Sequence, residues 1–104
     1  VNSSNETKLT ELGSQHGRVA HVELDGKLYV FRAPTLDEWE DFQEALGKKR
    51  RGACFRELAQ VTLVHPTLED LQAMFQAHPG ITARIGDAVG DLAGADIEVT
   101  VKKG

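Results

Sequence analysis

Four histidines, one cysteine, sixteen carboxylates and a run of four cations are the groups in this 104-residue chain with the chemistry for a reaction or a ligand. None of them falls into a reactive pattern. His16, His21, His65 and His78 include no pair at the i, i+4 spacing of a zinc protease, and with one cysteine there is no CxxC. His65 and His78 each precede a proline where a helix would end, a place where the helix dipole favours a cation. No metal is expected. Cys54 lies near the start of a predicted helix, beside Lys49, Arg50 and Arg51. That setting lowers a thiol pKa. Nucleophilic catalysis also needs a positioned base and an oxyanion site, and neither has a signature here. A small core-facing thiol is the better reading. Glu38, Glu40, Asp41 and Glu44 form no isolated acid/base pair and read as the solvated, dipole-matched face of an early helix. The glycines fit neither GxGxxG nor GxxxxGK[ST]. The sequence therefore predicts a binding protein without a cofactor, not an enzyme.

Two groups of residues are candidates for binding. Lys48, Lys49, Arg50 and Arg51 form a basic run suited to an acidic protein surface or to phosphate, although a solvated loop after a helix C-terminus explains it as well. Trp39, Phe42, Phe55, Met74 and Phe75 recur at helical spacings. Most such residues form core. Short helices cannot cover every apolar side chain, so Trp39, Phe42, Met74 and Phe75 are candidates for an exposed patch that takes a partner helix.

The surest local element is a hairpin over 19–32. Val19, His21 and Glu23 alternate with Ala20, Val22 and Leu24, and Asp25-Gly26 supplies a two-residue turn. Beyond the turn Leu28, Val30 and Arg32 share one face, and Tyr29 and Phe31 the other. A lone hairpin is marginal, so helices must cover it. Ala33-Pro34 ends the second strand. Thr35 and Glu38 then have capping-box spacing, and Leu36, Trp39, Phe42 and Leu46 carry a helix over 35–46. A second helix over 53–64 is apolar over a wide arc, which predicts a central position. His65-Pro66 stops it. Helices over 67–77 and 81–93 follow, the last with Gly86 and Gly90 one turn apart, where another helix can approach closely. Residues 1–17 are polar and read as a mobile arm with at most a loose turn around Leu9 and Leu12. Residues 95–104 read as a weak strand, a strand for a partner, or a disordered tail.

The expectation is one α+β, mainly helical domain over 18–94: an N-terminal β-hairpin packed on a bundle of about four short α-helices. Its formal charge of −4 repels phosphate backbones, so nucleic acid is disfavoured as the main partner. No apolar run approaches a membrane span. Residues 1–8 carry no apolar segment of a signal peptide, and a single cysteine suits a reducing compartment.

The stretch Asp25-Gly26-Lys27-Leu28-Tyr29-Val30-Phe31-Arg32-Ala33-Pro34-Thr35 resembles the DGK-x-Y-x-F-R-x-P-T opening of tail assembly chaperones of long-tailed bacteriophages. Lys49-Arg50-Arg51 before a helix ending Leu63-Val64-His65-Pro66, and His78-Pro79-Gly80 before a helix ending Leu92-Ala93-Gly94-Ala95-Asp96, extend the likeness over residues 19–104. The resemblance implies a non-enzymatic protein of the host bacterial cytoplasm. It would bind the tape-measure protein, keep it soluble and aid recruitment of the tail tube protein, with weak homo-oligomers allowed. It would be the shorter of two products where the gene frameshifts. The alternatives are a structural or connector component that forms oligomers, and a small nucleic-acid-binding regulator acting through residues 48–51.

Overall fold

The second strand of the hairpin is apolar on both faces, and the architecture follows from covering both. The computed structural model describes residues 3–94 and Thr100. In chain order its elements are α1 (Ser3–His16), β1 (Val19–Leu24), β2 (Lys27–Arg32), α2 (Leu36–Leu46), α3 (Arg51–Thr62), β3 (Leu63–His65), α4 (Leu68–Ala77) and α5 (Ile81–Leu92). The fold is α+β and mainly helical, as the sequence predicts. The predicted tail strand over 95–104 lies outside the described residues apart from Thr100, which belongs to no element.

β1 and β2 pair antiparallel, with Ala20 opposite Phe31 and Val22 opposite Tyr29. Asp25 and Gly26 both take positive φ, 53° and 77°, the geometry that an Asp-Gly hairpin turn requires. On one face of the sheet, Tyr29 and Phe31 join Phe42, Phe55, Leu58, Leu71, Ile85 and Val89 in the main core, with Ala20, Val22 and Leu24 packed at its margin. On the other face, Leu28 and Val30 form a second, smaller core with Leu12.

That second core corrects the reading of residues 1–17 as a mobile arm. Ser3–His16 form a helix, and it covers Leu28 and Val30, which would otherwise face water. α1 lays Leu12 over them, with Leu9 packed alongside. Asn5 ties the helix to the hairpin by donating to Oε2 of Glu23 and to the carbonyl of Gly26, both at 3.0 Å.

The predicted helix over 53–64 is also corrected at its end. α3 stops at Thr62, and Leu63 turns to extended backbone at φ −64°, ψ 128°. Leu63 then pairs with Phe31 and His65 with Val30, across an irregularity in register, so β3 completes a sheet of order β1-β2-β3. Two forces act here. Pro66 biases His65 away from the helical region, and the free edge of β2 offers backbone partners that a longer helix would leave unmet. Thr62, fully buried, satisfies its hydroxyl by donating back to the carbonyl of Leu58 at 2.8 Å.

Central packing of α3 holds: it lies against α2, α5 and β2. Gly86 sets its distance from α5. A Cβ built there would lie 2.3 Å from the ring of Phe55, whereas one at Gly90 would meet Trp39 at 3.6 Å, an ordinary contact. The two glycines therefore differ in sign. Gly86→Ala is expected to lower stability by about 1–2 kcal/mol, overpacking outweighing the gain in helix propensity. Gly90→Ala is expected to raise it by up to about 1 kcal/mol. Urea denaturation of both variants checks the pair. Leu12→Ala, which empties the second core, is expected to cost about 2–3 kcal/mol in the same assay. A mobile arm would show no loss.

Candidate partner-binding surface

Helix α2 is held at its start by a joint of three elements. Thr35 caps it, accepting from the backbone N–H of Glu38 at 3.2 Å, while the Thr35 N–H donates to Oε1 of Glu38 at 2.9 Å. The capping box read from Thr35 and Glu38 is thus present, but Glu38 does more. Arg32, at the end of β2, donates from Nη1 and Nη2 to its two oxygens, each at 2.8 Å. The same guanidinium donates to the carbonyl of Val61 at 2.9 Å, near the end of α3. Strand, capped helix and central helix meet on one arginine. The Arg32 bonds, followed by those from Thr35, hold the Glu38 carboxyl down at about 2, against burial, which pushes it up.

Because this pKa is depressed on folding, the stability it contributes is fully present above the ordinary glutamate range and is lost as pH falls toward 2. Replacing Glu38 with Gln is expected to lower stability at neutral pH by on the order of 1 kcal/mol, the partly exposed setting limiting the effect. It should also flatten the decline between about pH 4.5 and 2. Chemical denaturation at stepped pH measures both, and an unchanged acid profile would remove Glu38 as the titrating group.

Beside this joint, α2 and α3 enclose a shallow groove. Phe42, Cys54 and Leu58 form its floor, Val61 opens it to solvent, and Glu38, Asp41, Glu57 and Gln60 complete the lining. Its volume of about 250 Å³ is below that of pockets for drug-sized ligands and gives room for a few side chains. A second groove between α2 and α5 is lined by Trp39, Phe42, Leu46 and Phe55, with Arg51 and Asp87 among its polar residues.

The aromatic patch expected from sequence is mostly core. Phe42, Met74 and Phe75 are buried, so in this fold they offer little surface to a partner. They are among the largest apolar side chains of a small domain, and the main core takes them first. Trp39 is part-buried and stacks at the core margin, 5.2 Å from Phe42 between ring centroids. The exposed large apolar residues among those described are Leu36 (73% exposed), Val61 (49%) and Leu68 (47%). Sequence reasoning missed Val61 as a surface residue. The signal was the wide apolar arc of 53–64, wider than its neighbours can cover.

The basic run is largely engaged within the fold. Lys48 pairs with Glu44 at 2.7 Å, Lys49 with Glu57 at 2.8 Å, and the Arg51 guanidinium sits over the Phe55 ring at 4.9 Å. Arg50 is the N-cap of α3 and makes no side-chain capping bond. Lys48 to Arg50 therefore lie in the turn between α2 and α3 and Arg51 opens α3, rather than the four forming a uniform cationic patch. Cys54 is buried, as a core thiol should be. Among the described residues no group of three or more His, Cys, Asp or Glu side chains is placed to hold a metal ion, and no helix is long and apolar enough to cross a membrane.

No protein-family model matches the chain, and no curated protein matches it. It is similar to a solved structure, an uncharacterised protein, rbstp2171, from Bacillus stearothermophilus. The two share 22% identity and a TM-score of 0.71, over 90% of this chain and 99% of the other. At that identity the likeness shows a shared fold and nothing of function.

Proposed function

We propose that this chain is a tail assembly chaperone of a long-tailed bacteriophage. It acts in the host bacterial cytoplasm by binding the tape-measure protein, keeping its apolar helical segments in solution and aiding assembly of the tail tube. The chemistry is that of protein–protein binding, with no reaction and no cofactor. The observation that carries this reading is the groove between α2 and α3. Its floor is apolar, Val61 stands half-exposed at its edge, and its volume gives room for a few side chains of a partner. The resemblance of residues 25–35 to the opening of that chaperone family supplies the identity of the partner. A small acidic domain of this kind, bound in several copies along one long chain, would act through avidity.

The test is co-expression with the tape-measure protein encoded by the same phage, followed by fractionation and pull-down. The expected result is a tape measure that stays in the supernatant and co-purifies with this chain. A tape measure that precipitates as it does alone, with nothing retained, would overturn the reading.

A further inference from the structure

We propose that the groove between α2 and α3 takes an amphipathic helix that carries lysine or arginine along the flank lying against α2. This deepens the chaperone reading and rests on it for the identity of the partner. The first ground is shape: the groove is floored by apolar side chains that are themselves buried, and half-exposed Val61 at its edge supplies the apolar surface that a partner side chain can cover. The second is charge. α2 contains five carboxylates, Asp37, Glu38, Glu40, Asp41 and Glu44, and no lysine, arginine or histidine.

Two of those five are already neutralised within the fold, Glu38 by Arg32 and Glu44 by Lys48. Asp37, Glu40 and Asp41 are exposed and have no ion pair among the described residues, and Asp41 lines the groove itself. The opposite wall differs. Glu57 is paired with Lys49, and the first turn of α3 carries no acid. Of the groove's own carboxylates Asp41 is therefore the one without an ion pair, and it lies on the α2 side, which orients a bound helix as well as attracting it. A neutral or acidic amphipathic helix would gain the same apolar contacts but meet like charge along α2, which costs affinity.

The probe is a pair of synthetic amphipathic peptides of about four turns, with leucine at i, i+3, i+4 and i+7 and either lysine or glutamate at the flanking positions. Calorimetric titration of the full chain is expected to show the lysine peptide bound, more weakly as salt rises, and the glutamate peptide not bound. Val61→Glu and Asp41→Lys, both at exposed positions, are each expected to weaken the lysine peptide about tenfold. Leu68→Glu and Glu69→Lys on α4 make the same changes away from the groove and should leave it unchanged. Circular dichroism and thermal melts establish that each variant is folded.

Equal binding of the two peptides, or equal losses in the groove and α4 variants, would overturn the proposal. So would self-association abolished by Val61→Glu, since a second copy would then be the occupant. The chaperone reading is tested separately. If the tape measure co-purifies equally with the wild-type chain and with Val61→Glu/Asp41→Lys, that reading stands and the groove inference fails. If the lysine peptide binds as expected but the tape measure does not, the groove inference stands and the partner is another protein.

Discussion

The double burial of β2 is the constraint from which the rest of this structure follows. Leu28, Tyr29, Val30 and Phe31 are consecutive and all buried, so one strand must be covered on both faces. A strand of this kind normally sits in the middle of a layered sheet, and here a three-stranded sheet supplies that middle. The helices divide accordingly. α1 closes one face with Leu12, and the α2–α5 layer closes the other. Neither cover is optional, since exposing either pair of side chains would return a large apolar area to water.

Arg32 stands where this apolar strand ends and translates strand position into helix position. A bidentate guanidinium–carboxylate pair is planar and directional. By holding Glu38 while also donating to the Val61 carbonyl, it fixes the start of α2 relative to the end of α3. The groove between those helices inherits its width from that joint. A lysine at position 32 would keep the charge but lose the fork that reaches three groups at once. The aromatic contacts Trp39–Phe42 and Phe42–Phe55 continue the alignment along the helices, at centroid separations of 5.2 and 5.6 Å.

Elements whose signals are local were legible in the sequence. The Asp25-Gly26 turn and the Thr35 cap each depend on chemistry within a few residues. The misses depend on distant demands. α1 has weak amphipathicity and, among its described side chains, one buried residue, Leu12, so its own sequence barely announces a helix. The better clue was the second apolar face of β2, some way along the chain. β3 is only three residues, Leu63, Val64 and His65, too short for periodicity to separate strand from helix. The expected exposed patch was misread for a related reason. Size marked Phe42, Met74 and Phe75 as notable, but size also drives such residues inward. Val61 is smaller, and it shows at the surface because α3 has more apolar arc than its neighbours can cover.

The position of β3 in the chain also bears on how the molecule assembles. The β1–β2 hairpin joins neighbours through a two-residue turn, whereas β3 reaches β2 only after α2 and α3 have intervened. Closing that loop of about thirty residues carries an entropic cost the hairpin avoids. The hairpin pairing is local in the chain. The third strand is the sheet's non-local contact: it brings the end of α3 back onto β2 and so ties the helical layer to the hairpin.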